Sequence, residues 1–239
     1  MKYFDPREVV PHFLSPLLDD SKERIREYVI EISLNDAPVP VVRRLSVPSN
    51  LYVGHFVYEL VYAMGWDGYH LTELKQGDTF WRSTKELAMD RESGLEYPGM
   101  KIRNSFRTTV SQLLKKVGDT CELLYDMGDS WHHTVRLVEV HRYDVNEIRF
   151  GNIGVEIISG EGACPPEDCG GVEGYKEILR IVQDPEDCEY GRFRSLLESL
   201  HGPNFDPGAF TPAHLNTARR RLYDYERTIG EVLHGFYER

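Results

Sequence analysis

The chain has 239 residues, of which 41% are hydrophobic and 28% charged, so it can bury a sizeable core without disulfides or a metal ion. Its formal net charge of −11 argues against non-specific binding to nucleic acid or to anionic membranes, because phosphates attract basic surfaces. No apolar run approaches the roughly 20 residues that span a bilayer, and the first residues lack the apolar stretch of a signal peptide. We therefore expect a cytoplasmic protein that has neither a membrane nor nucleic acid as its partner.

The first part of the sequence predicts a hairpin followed by a helix. Residues 1–27 are expected to form an N-terminal extension, and a domain of residues 28–210 begins with β-branched, alternating runs at 28–34 and 41–47. The apolar residues that follow have a 3.6-residue period, which predicts a helix that Gly65 ends. These apolar residues are Val53, Phe56, Val57, Leu60, Val61 and Met64.

The rest of the chain alternates strands and turns before helices dominate. Residues 83–104 are polar and are expected to form a long surface loop. Further strands are expected at 69–74, 79–82, 120–125, 131–140 and near 155–158. Further helices are expected at 109–117, 172–182 and 193–200, and a separate C-terminal helix that packs on the domain at 211–239. This order predicts an α+β fold: a mixed, largely antiparallel sheet built from hairpins, with a packing helix after the first hairpin and a helical C-terminal part.

Three segments carry unusual chemistry, and the first of them, 125–133, places a glycine-containing turn between two predicted strands. A period of two puts Trp131 and His133 on the inward face of the second strand, with Asp126 and Asp129 at the strand ends. An imidazole near carboxylates can act as a general base or as a ligand. Alternatively, the aspartates only shape the turn and His133 is a hydrogen-bonded core residue.

The second segment, 65–71, joins the first helix to the next strand through an Asp-Gly turn. Trp66, Tyr69 and His70 bring aromatic rings with polar tips to this corner. The simpler interpretation is a helix-to-strand corner that the indole of Trp66 fills. His70 is then the remaining candidate for a functional role.

The third segment, 160–171, has two thiols, Cys164 and Cys169, on either side of a Pro-Pro-Glu-Asp sequence. The helix expected after it points free N–H groups at this loop, which favours an anion. The thiols and carboxylates can also bind a divalent transition metal such as zinc, with His133 or His70 as a further ligand. Alternatively, the loop is rigid and both cysteines pack as small apolar residues.

Four motifs, taken in this order, resemble the plasmid pRiA4b ORF-3-like family of bacterial and archaeal proteins. They are 40–48, 65–71, 125–133 and 160–175. The chain departs from the family at Val42 and Met127, where tryptophan and phenylalanine are usual. The resemblance implies a compact α+β fold and no defined activity. Some members carry a label that links them to transposon resolvases, but this acidic chain shows no activated serine among arginines.

The leading functional hypothesis is a ligand- or partner-binding module with a polar and aromatic cleft. Aromatic rings would supply stacking surfaces, and polar side chains would orient the ligand. The residues expected to form the cleft are Arg44, Trp66, Tyr69, His70, Asp129, Trp131 and His133.

Two alternatives remain open. In a metal-dependent hydrolase, carboxylates and an imidazole would hold or orient a metal-bound water, with Cys164, Cys169 and His133 as metal ligands. The catalytic candidates are Asp126, Asp129, His133 and Glu167, with Asp168 beside them. In a mobile-element-associated regulatory or scaffold protein, the C-terminal helix would dock a partner or a second copy of the chain.

Overall fold

The computed structural model describes residues 25–142 and 155–210. The predicted C-terminal helix, 211–239, lies outside the described residues, so the self-association expected through it stays a prediction. Most of the predicted N-terminal extension also lies outside them, but its last residues belong to the first strand, which begins at Arg26. Within the described ranges, no helix is long and apolar enough to cross a membrane.

Eight strands form one sheet in the described part of the chain. The strands are β1 (Arg26–Leu34), β2 (Val42–Pro48), β3 (Thr72–Gln76), β4 (Thr79–Arg82), β5 (Lys101–Asn104), β6 (Thr120–Tyr125), β7 (Trp131–Arg142) and β8 (Glu156–Glu161). Their order across the sheet is β5-β4-β3-β6-β7-β1-β2-β8. All neighbours are antiparallel except β4 and β5. The α+β class and the largely antiparallel sheet built from hairpins are therefore confirmed.

Helices cover the inward face of this sheet. Those in the described residues are α1 (Val53–Met64), α2 (Thr84–Ser93), α3 (Val110–Leu113), α4 (Gly171–Ile181) and α5 (Tyr190–His201), with a 3₁₀ turn at Ser105–Arg107. α1 follows the first hairpin, as predicted, and buries the apolar face that its 3.6-residue period defines. It ends at Gly65, whose φ of 96° lies in the left-handed region that favours glycine.

Alternation along β7 decides which side chains reach the core. Trp131, His133 and Val135 are buried, whereas His132 and Arg136 are exposed. The period of two in the sequence predicts this pattern. The inward residues join one hydrophobic cluster with residues of α1 and α4.

The segment 83–104 is not the long loop that its polarity predicts. It contains α2, which begins with a capping box: the Ser83 hydroxyl accepts from the Glu86 N–H at 3.1 Å, and the Glu86 carboxylate accepts from the Ser83 N–H at 2.6 Å. It also contains β5, which adds to β4 in parallel. The prediction was wrong because α2 has no apolar period; its Ser-x-x-Glu start is the signal that identifies it.

Two further boundaries differ from expectation. β3 begins at Thr72, so Tyr69 and His70 lie in the segment between α1 and β3. α3 ends at Leu113 instead of continuing to residue 117. Neither change alters the topology, but the first places His70 in the segment that connects α1 to β3 instead of in a strand.

Candidate functional site

The three unusual sequence segments meet around the turn between β6 and β7. The indole Nε1 of Trp66 donates a 2.9 Å hydrogen bond to the carbonyl of Pro165. The phenol of Tyr125 donates a 2.9 Å hydrogen bond to Oε1 of Glu167. The segments 65–71 and 125–133 are therefore both bonded to the loop 160–171, although each contact joins residues far apart in sequence.

The aromatic residues of these segments form a stack inside the core. Trp66 and Trp131 therefore do not form the aromatic cleft that the sequence predicts. The Trp66 ring stacks on Tyr125 at 4.9 Å and on Trp131 at 5.7 Å between centroids, and meets His133 edge-on at 5.4 Å. Trp131 is fully buried because strand alternation directs it under the helices. Its faces are therefore unavailable to a ligand, whereas Tyr69 is 88% exposed.

His133 is a core residue in this arrangement. Its Nδ1 donates to the carbonyl of Leu123 at 3.2 Å, and its Nε2 has no hydrogen-bond partner. Burial lowers the pKa of His133 from 6.5 to about 4, so the imidazole is neutral at neutral pH. No described carboxylate forms an ion pair with it, so the expected pairing of His133 with Asp126 or Asp129 is not formed.

The expected metal ligands are not assembled. Cys164 is buried, and desolvation raises the pKa of its thiol well above the usual value. Burial also raises the pKa of Cys169 to about 12. Among the described residues, one group of metal-capable side chains lies close together, and it contains neither cysteine nor His133. The loop 160–171 turns both thiols toward the core, where they pack as small side chains.

The group that does assemble is centred on His70, and we call His70, Asp126, Glu167 and Asp168 the His70 cluster. The Nδ1 of His70 lies 3.6 Å from Oδ2 of Asp126. Its Nε2 lies 3.4 Å from Oδ1 of Asp168 and 3.8 Å from Oε2 of Glu167. Ligand atoms of His70, Asp126 and Asp168 all lie within 4.8 Å of one another. Three carboxylates therefore surround one imidazole, and the cluster carries excess negative charge.

Glu167 has the environment of a proton-transfer group. Its Oε1 accepts hydrogen bonds from the Tyr125 phenol and, at 3.0 Å, from the Asp67 N–H. Its Oε2 is buried and has no hydrogen-bond partner. Burial raises the pKa of Glu167, outweighing the two hydrogen bonds that favour the carboxylate. A carboxyl group with a raised pKa beside an imidazole is suited to accept or deliver a proton.

The two aspartates of the β6–β7 turn have different positions. Asp126 has a φ of 57°, and its Oδ1 accepts from the Gly128 N–H at 2.8 Å, which leaves Oδ2 directed at His70. Asp129 instead accepts from the Gly170 N–H at 3.1 Å, at the N-terminus of α4. Asp129 therefore fastens the loop 160–171 and does not join the His70 cluster.

A pocket of about 340 Å³ adjoins the His70 cluster, and we call it the Arg43 pocket. Its walls come from β2, the end of α1, the loop 160–171, the end of α5 and the segment 203–210. Trp66, Asp67 and Glu167 border it on the side of the His70 cluster. The residues that line it include Arg43, Trp66, Glu167, His201, Phe205 and Phe210.

Arg43, and not the expected Arg44, reaches this pocket. The side chain of Arg44 is 49% exposed and pairs with Glu31 at 2.9 Å on the outward face of the sheet. Arg43 points inward and shares its face with the buried Leu45 and Val47. The signal in the sequence is alternation: Arg43 occupies the apolar phase of the strand, two residues before Leu45.

Comparisons with known proteins agree with this fold. A family model described as "Plasmid pRiA4b ORF-3-like protein" matches residues 26–214. The chain is 27% identical over 192 residues to the uncharacterized protein y4hQ of Sinorhizobium fredii (strain NBRC 101917 / NGR234), covering 79% of this chain and 88% of that protein. The crystal structure of MM3350, a protein of unknown function from Methanosarcina mazei Go1, superposes with a TM-score of 0.62. That match has 24% sequence identity and covers 80% of this chain and 98% of MM3350, so it bears on the fold alone.

The family match spans the whole sheet, the β6–β7 turn and the loop 160–171, which are the parts that build the site. It also includes all four sequence motifs that resemble the family. This chain belongs to the plasmid pRiA4b ORF-3-like protein family.

Proposed function

We propose that this protein binds a small molecule in the Arg43 pocket and that Glu167 contacts the ligand at the pocket edge. The observation that carries the proposal is that Glu167 belongs both to the pocket wall and to the His70 cluster. A ligand in the pocket therefore lies beside a carboxyl group whose pKa burial raises. No other described group joins the two features in this way: Trp66 borders the pocket but is packed in the core.

The volume and lining of the pocket support binding of a compact organic molecule. Sites for small ligands typically occupy about 300–1,000 Å³ and combine apolar walls with a few polar groups. Phe205 and Phe210 supply apolar surface here, and Arg43, Glu167 and His201 supply polar groups. The expected aromatic cleft is thus replaced by a pocket whose aromatic walls come mainly from the segment 203–210.

The test is a titration of the protein with benzamide, a neutral aromatic probe, followed by NMR spectroscopy. Saturable shifts of the Trp66 indole N–H signal and of the amides of residues 200–210 support the proposal. Ala209→Trp, at an exposed position on the pocket wall, should block the pocket and remove these shifts. Ala88→Trp, at an exposed position on α2, is the matched control and should leave them unchanged. Absence of saturable shifts with benzamide and with charged benzene derivatives overturns the proposal.

The His70 cluster favours a second candidate, a metal-dependent hydrolase. Histidine nitrogen and carboxylate oxygen are ligands that zinc and manganese accept. The ligand atoms of His70, Asp126 and Asp168 lie within 4.8 Å of one another, so these three residues would hold the ion. A divalent ion would also neutralise part of the excess negative charge. An ion held there would supply Lewis acidity, and Glu167, beside His70, would take a proton from the nucleophile.

Isothermal titration of chelator-treated protein with Zn²⁺ and Mn²⁺ tests the second candidate. We expect one bound ion per chain for the wild type and at least about a tenfold loss of affinity for Asp126→Asn. His132→Gln changes an exposed histidine of β7 and serves as the control. Equal affinities for the wild type and Asp126→Asn would exclude the His70 cluster as the metal site.

A further inference from the structure

The wall of the Arg43 pocket holds a charge for which no residue in the described part of the chain provides a counterion. Arg43 is 1% exposed, and no carboxylate of a described residue forms an ion pair with it. The described ionisable groups that interact with it are the Cys164 thiol, the Tyr175 phenol and the His201 imidazole. Burial raises the pKa of the thiol and of the phenol far above neutrality, so both are uncharged, and an imidazole provides no negative charge. Burial lowers the pKa of Arg43 only to about 10, so its guanidinium is charged at neutral pH.

Some of the N–H groups of this guanidinium have a structural role. Its Nε donates to the carbonyl of Ala63 at 3.1 Å, in the last turn of α1, where the helix dipole favours a cation. Its Nη1 donates to the carbonyls of Val42 and Glu161, both at 2.8 Å, and so joins β2 to β8. The Phe210 ring lies 3.7 Å from the guanidinium carbon, in cation–π contact. These contacts engage three of the five N–H groups that an arginine carries.

The remaining two N–H groups belong to Nη2, and no described residue accepts from them. Arg43 is 1% exposed and lines the pocket, so the pocket is the space from which an acceptor would reach its guanidinium. A buried cation with two unused donors creates a strong preference for an acceptor at this wall.

We infer that the ligand of the Arg43 pocket is a small organic carboxylate whose anionic group accepts hydrogen bonds from Nη2 of Arg43. This inference rests on the proposed ligand-binding function and names the class of ligand. Arg43 is the one lysine or arginine among the described lining residues, whereas Asp67, Glu167 and Asp206 also line the pocket. One donor nitrogen suits a singly charged carboxylate, and the three acids disfavour the second charge of a phosphate.

The experiment compares four benzene derivatives with the same ring: benzoate, neutral benzamide, cationic benzylamine and dianionic phenyl phosphate. Each is titrated into the protein and followed by NMR on the signals of the pocket and of the Arg43 side chain. We expect benzoate to bind at least about tenfold more tightly than benzamide, which corresponds to one charge-assisted hydrogen bond. Arg43→Gln should abolish this difference, and Arg44→Gln, one residue away on the outward face, should preserve it.

Each of the other outcomes shows whether the carboxylate inference fails alone or the proposed ligand-binding function fails with it. If benzamide or benzylamine binds as tightly as benzoate, the pocket is a ligand site and the carboxylate inference fails. If phenyl phosphate binds most tightly, Arg43 recognises a dianion and the choice of a carboxylate is overturned. If none of the four shifts the pocket signals, both the proposed function and the inference fail. Should Arg43→Gln not fold, the comparison of benzoate with benzamide at the wild-type Arg43 signals decides alone.

Discussion

The phenol of Tyr125 and the carboxylate of Glu167 are joined by a 2.9 Å hydrogen bond that connects the last residue of β6 to the loop 160–171. This bond connects the packed core to the candidate site. The Tyr125 ring lies in the stack with Trp66, whereas its hydroxyl donates to Glu167, which lines the Arg43 pocket. The orientation of Glu167 is therefore set by a residue that the core holds rigidly.

Removal of this hydroxyl should raise the pKa of Glu167 further. In Tyr125→Phe the ring remains in the stack, but the donor that favours the ionised carboxylate is lost. The free energy of unfolding should fall by about 1 kcal/mol, the typical net value of such a bond. A pH titration of the Glu167 carboxyl carbon by NMR measures the pKa. Tyr69→Phe, at an exposed tyrosine, is the control, and an unchanged Glu167 pKa in Tyr125→Phe would contradict the assignment.

Truncation of Trp131 should destabilise the whole fold. Trp131→Ala removes a fully buried indole that packs against Trp66, and such changes cost about 3–5 kcal/mol. Tyr69→Ala removes an exposed ring from the same part of the molecule and should change the free energy of unfolding by less than about 0.5 kcal/mol. Urea denaturation of both variants checks this. Similar values for the two would mean that Trp131 is not a core residue.

Two helical glycines should respond in opposite ways to alanine. A Cβ at Gly174 in α4 would collide with the carbonyl oxygen of Cys169, so Gly174→Ala should cost about 1–3 kcal/mol. A Cβ at Gly191 in α5 meets no atom within 4 Å, so Gly191→Ala should stabilise by up to about 1 kcal/mol. Thermal and urea unfolding measure both. A neutral Gly174→Ala variant would show that the approach of the loop 160–171 to α4 is looser than described.

The burial of His133 should make the protein less stable in mild acid. The unfolded chain binds a proton at His133 below pH 6.5, whereas the folded state binds it only near pH 4. Because the unfolded state then holds more protons, stability falls as the pH drops through this window, by about 3 kcal/mol for this group. Burial also lowers the pKa of His55 and of His201, and both act in the same direction.

The contribution of His133 is isolated by comparing unfolding at neutral pH and near pH 4.5 in three proteins. His133→Gln cannot take up the proton, so its stability should depend less on pH than that of the wild type. His132→Gln changes the exposed neighbour on β7 and should keep the wild-type dependence. An identical pH dependence in the wild type and His133→Gln would show that His133 titrates normally in the folded state.

Local patterns were sufficient for most of the fold. The apolar period of α1 and the alternation of β7 follow from the spacing of side chains along each element, so both could be predicted from the sequence. α2 was missed because its residues are polar, so its local signals are confined to its ends: the capping box of Ser83 and Glu86, and the left-handed Gly94. Pairing of β5 with β4 in parallel could not be predicted, since neither strand encodes its neighbour.

Local sequence patterns identified residues of the candidate site but not which of them meet. His70, Asp126 and Glu167 were each identified as unusual residues. His133 was expected as the imidazole beside the catalytic carboxylates, and His70 only as an alternative metal ligand. Alternation along β7 predicts that His133 points inward. In the structure His133 is 1% exposed, so a ligand cannot reach it. Arg44 was expected in the cleft instead of Arg43. Alternation along β2 indicates that Arg43 points inward, but the pocket that Arg43 lines could not be predicted from the sequence.

The sequence alone determined the element types outside 83–104, the inward phase of β7 and the family, because these depend on the order and spacing of neighbouring residues. Only the tertiary structure decided which residues meet. The bond from Trp66 to Pro165 spans 99 residues and that from Tyr125 to Glu167 spans 42, and such contacts depend on how whole elements pack. The His70 cluster and the Arg43 pocket arise from that packing, since each is assembled from side chains whose own segments give no indication of their partners.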